Sequence, residues 1–289
     1  MGALPACTSK ERGGVHLIGE HPWSLTTGLH GPHTADLSPD GDALLVADTC
    51  NHRLVIYDLP GASVAWDSRT RCPGLSLPHP NFAIFTGEGV YGRVLVSSLT
   101  GHFVAEIDPL RCAVTWRLDE GLRFPHAALP VGATDRILVV DSGGPLNENG
   151  RVIEVERDGH IVWSYPPEDC RGCRGTSWTR NAELACDDGP ECRSGTVWIT
   201  DRDETIRVHR DLDAWADGES VRPDRHLLHG EGYAYSAAHL AAWEGDDNGG
   251  AGWLLVSHHG LRRDEGWVRI VAADGADSST PIWQLDYAP

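Results

Sequence analysis

Lysine is almost absent from this chain, because Lys10 is the only one among 289 residues. The formal net charge is −18, so the protein lacks the positive surface that nucleic-acid phosphates require, and we expect no nucleic-acid partner. No run approaches about eighteen consecutive apolar residues, which predicts that no segment spans a membrane. A P-loop, a dinucleotide fingerprint and a G-x-S-x-G nucleophile elbow are also missing, which argues against the commonest nucleotide-binding and serine-hydrolase sites.

Glycine and proline are abundant instead. The chain has 33 glycines and 18 prolines, which favours many turns over long helices. Hydrophobic residues make up 40 % of the sequence, enough for a sizeable core. The composition therefore indicates an all-β protein with short strands.

One pattern recurs five times along the chain. Each copy has a leading segment, a Gly/Asp turn, an apolar strand, a polar bend, a third strand and a last strand that usually holds a tryptophan. The apolar strands read LLVAD, VLVSS, ILVVD, VWITD and WLLVS. Four short strands with a period in the forties are typical of a propeller blade.

The repeat predicts a single β-propeller domain over residues 1–289, with five four-stranded blades. The predicted repeat units are about 32–76, 77–123, 124–174, 175–234 and 235–289. Residues 1–31 are expected to close the ring with an N-terminal strand; the alternative is a six-bladed propeller. The repeated tryptophans are expected to fill the wedge that widens between blades away from the axis.

A histidine leads four of the five copies. These histidines are His33, His79, His126 and His239, and the fourth copy has Ser177-Trp178 instead. In a propeller the first strand of each blade lines the central channel, so residues far apart in sequence are expected to converge there. His258, which follows the apolar strand of the last copy, is a further candidate for the same site.

The recurring histidines predict a mononuclear metal site in the channel. Neutral imidazoles suit Cu, Fe or Zn, and an open coordination position would allow catalysis. The expected function is a metal-dependent oxidation or lyase reaction on a small organic substrate. A structural alternative is that each histidine hydrogen-bonds a carbonyl of a neighbouring blade.

Two families resemble parts of this sequence. ADTCNHRLVIYD, in the first copy, resembles the NHL repeat, and the third copy from Pro125 resembles the arylsulfotransferase propellers. The second resemblance implies sulfuryl transfer, with His126 or His33 as nucleophile and Arg180 neutralising the sulfate. The set of propeller histidines is also similar to those of amidating lyases, which hold zinc, and carotenoid-cleaving oxygenases, which hold iron. A non-catalytic binding propeller is the third possibility.

The eight cysteines favour an oxidising compartment. Cys170, Cys173, Cys186 and Cys192 have a spacing that fits either a structural zinc site or two disulfides. Cys72 and Cys112 flank outer strands of adjacent copies, which suggests that they form a disulfide.

The first ten residues lack the charged and apolar regions of a signal peptide. We expect a periplasmic or secreted monomer whose signal is absent from this chain, with the cytoplasm as alternative.

The bend after the third apolar strand is rich in oxygen ligands. Asp141, Asn147 and Asn149 could hold a structural Ca²⁺. The alternative is an ordinary Asn/Gly-rich bend between strands.

Overall fold

The computed structural model describes part of the chain, in two compact units. The units are residues 1–128 and 129–289. The described residues are 28–87, 92–144, 149–167, 176, 179–201, 204–218, 223–228, 233–240, 253–259, 266–272 and 283–287, with side chains as far as Pro223.

Within the described residues, twenty strands form five four-stranded sheets. The first sheet contains β1 Pro32–Leu37, β2 Ala43–Asp48, β3 Arg53–Asp58 and β4 Ser63–Asp67. The second contains β5 Pro80–Phe85, β6 Val94–Ser98, β7 Phe103–Asp108 and β8 Ala113–Leu118. The third contains β9 Pro125–Pro130, β10 Ile137–Asp141, β11 Arg151–Val155 and β12 Ile161–Tyr165. The fourth contains β13 Asn181–Cys186, β14 Ser194–Asp201, β15 Glu204–Asp211 and β16 Pro223–Leu228. The fifth contains β17 Tyr233–Leu240, β18 Trp253–His259, β19 Gly266–Ala272 and β20 Trp283–Tyr287.

Each sheet is an antiparallel meander in which sequence neighbours pair. Each also falls within one predicted repeat unit, apart from the first two residues of β17. The prediction of five four-stranded blades is therefore confirmed. The predicted closing strand falls on residues 1–31, of which 1–27 lie outside the described residues.

The helical segments among the described residues are single turns. They are α1 Ser68–Arg71, α2 Leu212–Ala216 and a 3-10 turn at Thr49–Asn51. In the described part of the chain, no helix has the length and apolar character needed to cross a bilayer.

The core of the first unit lies between its first two sheets. Leu45 and Ile56 from one sheet pack with Val96 and Ala105 from the other, all essentially without exposed surface. Trp66 on the outer strand β4 belongs to this cluster, and its indole nitrogen donates to the carbonyl of Pro109. The tryptophan therefore fills the space between the outer strands, as the repeat predicted.

Polar side chains join the inner strands of these two sheets. The Thr34 hydroxyl accepts from the backbone nitrogen of Ala83, and the Asp36 carboxylate accepts from that of Phe85. The Thr49 hydroxyl, just after β2, donates to the carbonyl of Pro80 at 2.7 Å. These bonds fix the position of β5 against β1, which matters because the candidate site lies at the start of both strands.

Two disulfides have both cysteines in the described residues. Cys72–Cys112 joins the outer parts of the first two sheets, which confirms the predicted pair. Cys186–Cys192 closes the turn between β13 and β14. Cys186 and Cys192 are therefore unavailable as zinc ligands, and Cys170 and Cys173 lie outside the described residues.

The predicted calcium ligands are only partly described. Asp141 is buried, with the Arg151 guanidinium 3.7 Å from its carboxylate. Asn149 is exposed and has a left-handed backbone, which is typical of a turn. Asn147 lies outside the described residues, so the calcium site stays a prediction.

Candidate functional site

The strand registers show which residues are equivalent in different sheets. β1 and β5 begin with a proline, and their pairing is irregular at the next residue, His33 in β1 and Asn81 in β5. β9 also begins with a proline, followed by His126. His33, Asn81 and His126 therefore occupy the same position at the start of three inner strands.

These three side chains meet. The imidazole rings of His33 and His126 have centroids 6.2 Å apart and are tilted by 59°. The Asn81 carboxamide nitrogen lies 2.9 Å from Nδ1 of His126 and 3.0 Å from its backbone oxygen. His126 is buried, Asn81 is almost completely buried and His33 is half-buried. We call this group the inner-strand cluster.

The two ends of the Asn81 carboxamide differ in their contacts. Its nitrogen donates to the backbone oxygen of His126 and lies 2.9 Å from Nδ1 and 3.4 Å from Nε2 of the ring, whereas its oxygen Oδ1 is buried and has no hydrogen-bond partner. The backbone oxygen of His126 also accepts from the Ser97 hydroxyl at 2.9 Å. A buried acceptor without a partner costs free energy, so Oδ1 is a point where a ligand could bind.

His79 does not belong to the inner-strand cluster. It lies two residues before Asn81, and its backbone nitrogen donates to Nδ1 of His52. The two rings meet edge to face at 4.2 Å, and Nδ1 of His79 lies 2.7 Å from the Thr100 hydroxyl. Burial, and next the charge of His52, lowers the pKa of His79. The alignment that equated His79 with His33 was therefore wrong.

The same contact recurs one blade further along. His102 occupies the position of His52, and its ring meets Phe124 edge to face at 5.6 Å. Phe124 lies two residues before His126, as His79 lies two residues before Asn81. His79 and Phe124 therefore share one role, which is to pack an aromatic ring on the histidine of the preceding blade.

The backbone register also moves His239 away from the repeat position. In β17 the irregular pairing occurs between Ala234 and Ser236, so Tyr235 is equivalent to His33. His239 pairs with Leu254, near the opposite end of the strand. His258 is the penultimate residue of β18, the equivalent of β2, and pairs with Ala234. The equivalence of His239 with His33 is therefore also corrected.

The metal prediction remains open after this comparison. Among the side chains described, as far as Pro223, no three His, Cys, Asp or Glu residues are grouped so that they could hold an ion. The side chains of His239 and His258 lie beyond that point.

Arg180, the predicted sulfate partner, is half-buried and immediately precedes β13 in the second unit. Its backbone nitrogen donates to the backbone oxygen of Thr200. Sulfuryl transfer stays a prediction.

Sequence reasoning missed Asn81, although a signal was present. The segment PHPN contains two prolines, and a repeat unit that begins at the first proline places His79 at the position of His33. Proline is tolerated at the first residue of a strand, where no ladder hydrogen bond is needed. Alignment on the second proline would have placed Asn81 beside His33 and His126.

The NHL-like residues form an ion network next to this site. The Asp48 carboxylate accepts from Asn51 at 2.8 Å and from Nε of Arg53 at 2.7 Å. Arg53 also donates to Asp67 at 2.6 Å, and the other oxygen of Asp48 accepts from the backbone nitrogen of His30. These residues hold the bend between β2 and β3 and the segment that enters β1, so their role is structural.

Comparisons with known proteins agree with this architecture. Residues 29–57 match the family model of the NHL repeat. Hydrazine synthase of Kuenenia stuttgartiensis is similar at 13 % identity and a TM-score of 0.55, over 85 % of this chain and 65 % of that one. The Cps50 (Swd1) β-propeller domain of Myceliophteria thermophila is similar at 12 % identity and a TM-score of 0.57, over 91 % and 78 %.

The protein is a β-propeller, and its first blade carries an NHL repeat. The chain spans less than two thirds of the hydrazine synthase chain, and identities this low establish the fold alone. No curated protein matches the sequence.

Proposed function

We propose that this propeller is a metal-dependent enzyme and that its ion binds at the inner-strand cluster through His33 and His126. The observation that carries the proposal is the 6.2 Å separation of the two rings. Two imidazoles on one ion, with metal–nitrogen bonds of about 2.0–2.1 Å, have ring centroids roughly 5–6.5 Å apart. Imidazole nitrogens are suited to Cu, Fe or Zn.

The surroundings of the cluster support catalysis rather than a closed structural site. Only two histidines are supplied by the described side chains, which leaves coordination positions for water or substrate. His33 is half-buried, so a small organic molecule can approach from its side. The ion would supply Lewis-acid or redox chemistry, while the chain would hold the two rings and orient the substrate. The reaction class is an oxidation or a lyase reaction.

A second candidate is a non-catalytic binding propeller. It is favoured by the unequal contacts of the Asn81 carboxamide, whose nitrogen contacts His126 while its buried oxygen has no hydrogen-bond partner. A ring nitrogen of His126 would then share a hydrogen bond with a small ligand, and Oδ1 of Asn81 would accept from the same ligand. This pair of groups binds a small polar molecule without an ion.

The disulfides support a place outside the cytoplasm. Cys72–Cys112 and Cys186–Cys192 are both intact, and structural disulfides persist mainly in oxidising compartments. We therefore include a periplasmic or secreted location in the proposal.

Elemental analysis of protein purified without chelators tests the proposed function. We expect about one equivalent of Cu, Fe or Zn in the wild type and its loss in His33→Ala and His126→Ala. His79→Ala is the matched control, because His79 leads a repeat in sequence but lies outside the cluster. Circular dichroism would establish that each variant is folded. Absence of metal from the wild type, or retention in both cluster variants, would overturn the proposal.

A further inference from the structure

We infer that His52 and the peptide that joins Pro78 to His79 form a proton-sensitive switch, in which the peptide makes a half-turn when His52 is protonated. The peptide lies at the entry of β5, the strand that carries Asn81. The switch needs no ion at the inner-strand cluster, so it is independent of the proposed function. Equivalent bends in the first two blades bind equivalent peptides through opposite atoms, and this difference shows the two states.

His52 and His102 occupy the same position in neighbouring blades. Each immediately precedes the third strand of its sheet, and both have a left-handed backbone, with φ of 55° and 56°. Each also faces the peptide just before the inner strand of the next blade. These peptides join Pro78 to His79 and Arg123 to Phe124.

The two histidines make opposite hydrogen bonds through Nδ1. The backbone nitrogen of His79 can only donate, so Nδ1 of His52, 3.0 Å away, accepts. The backbone oxygen of Arg123 can only accept, so Nδ1 of His102 donates to it. One peptide presents its N–H group and the other its carbonyl group, so the two planar units differ by about half a turn.

The backbone of His79 carries strain that the equivalent residue avoids. Its φ of 46° is left-handed, whereas Phe124 does not have a positive φ. A residue before a proline prefers an extended backbone, and Pro80 follows His79. A half-turn of the preceding peptide changes φ of His79 by about 180°, which brings it into the extended region and removes the strain.

Hydrogen bonds stabilise the strained arrangement while His52 is neutral. The His79 nitrogen donates to Nδ1 of His52, and the Ser98 hydroxyl donates to the oxygen of Pro78 at 2.6 Å. Protonation of His52 places a hydrogen on Nδ1, so two donors face each other and the first bond is lost. After a half-turn, Nδ1–H of His52 donates to the oxygen of Pro78, as in the next blade. One link between the first two blades is thereby exchanged for another.

The surroundings of His52 allow it to respond to pH. His52 is exposed, so it takes up protons directly from solvent. The charged and titratable residues around this bend are His30, Asp48, Arg53, Asp67 and His79. The two aspartates pair with Arg53. Burial, and next the charge of His52, lowers the pKa of His79, so a proton on one ring disfavours a proton on the other.

Nuclear magnetic resonance of the full-length, metal-free protein between about pH 8 and about pH 5 tests the switch. A His79→Phe background keeps an aromatic ring against His52 and removes the titration of His79 itself. We expect the Cα and Cβ shifts of position 79 to change from left-handed to extended values with the midpoint of the His52 ring. Phe124 should keep one backbone conformation while His102 titrates. A left-handed position 79 that persists after His52 is protonated would overturn the inference.

Matched asparagine substitutions separate the switch from a general effect of acid. In His52→Asn the residue tolerates a left-handed backbone, and Oδ1 replaces Nδ1 as an acceptor that does not titrate. We expect the transition at position 79 to disappear in His52→Asn and to remain in His102→Asn. A transition that persists in His52→Asn, or that is lost in both variants, would contradict the half-turn.

Discussion

Replacement of Glu154 by Gln should strongly destabilise the second unit. Glu154 on β11 is completely buried and lies between two arginines. Arg210, which is also completely buried, donates to it through Nη2 at 2.7 Å, and Nε of Arg136 lies 3.0 Å away. The neutral amide would leave a fully buried guanidinium without a counter-ion. Breaking a buried pair in this way costs about 3–5 kcal/mol of unfolding free energy.

Glu106 provides a matched control within the same protein. It pairs with Leu95 on β6 as Glu154 pairs with Leu138 on β10, so both glutamates hold the same position of the repeat. Glu106 is buried, but its partner Arg93 is largely exposed and can return to water. The Thr115 hydroxyl, at 2.8 Å, can still donate to a Gln at this position. We therefore expect Glu106→Gln to cost only about 1 kcal/mol.

Urea denaturation of the wild type and both variants measures the difference. The two glutamates differ in the burial of their partner arginines. If Glu154→Gln loses no more unfolding free energy than Glu106→Gln, this reasoning is refuted. The double variant Glu154→Gln with Arg210→Met gives a second check. Removal of the unpaired buried cation should recover part of the lost free energy.

Two further predictions concern stability. Replacing Cys72 and Cys112 by Ser opens a loop with a sequence separation of 40, whereas the Cys186–Cys192 loop has a separation of 6. The chain entropy of the unfolded state gives losses of about 4 kcal/mol of unfolding free energy without Cys72–Cys112 and about 2 kcal/mol without Cys186–Cys192. The unfolding temperature should therefore fall further in the Cys72/Cys112 double variant than in a Cys186/Cys192 double variant. Because the pKa of His79 is lower in the folded protein than its usual value of 6.5, the unfolded chain binds a proton at this histidine more readily than the folded one. Acidification through pH 6.5 therefore lowers the free energy of unfolding. His79→Phe should reduce the stability lost between about pH 7 and about pH 5, and an unchanged pH profile would contradict this.

The blades were predictable because their signals are local. Alternating apolar strands and Gly/Asp turns are readable within each repeat, and five repeats of four strands follow from their spacing. The Cys72–Cys112 pair was also accessible, since both residues flank outer strands of adjacent copies. Packing of a tryptophan between outer strands follows from the wedge shape between blades.

Which residues form the inner-strand cluster depends on the pairing register of the inner strands. The repeated Pro-His dipeptide in the sequence does not reveal that register. His79 shares a Pro-His dipeptide with His33, but the irregular pairing at the start of β5 places Asn81 at the equivalent position. A shift of two residues along a strand keeps the face and moves the side chain by roughly 6.6 Å, enough to leave a site.

The sequence alone therefore establishes the repeat, the strand order and the type of blade, because each depends on neighbours within about fifty residues. The inner-strand cluster and the buried Glu154 group arise from strands of different blades. Their composition depends on register and on side chains from separate repeats, and the tertiary structure supplies both. Asn81 illustrates the reason, since its amide contacts His126, which lies 45 residues away in the sequence.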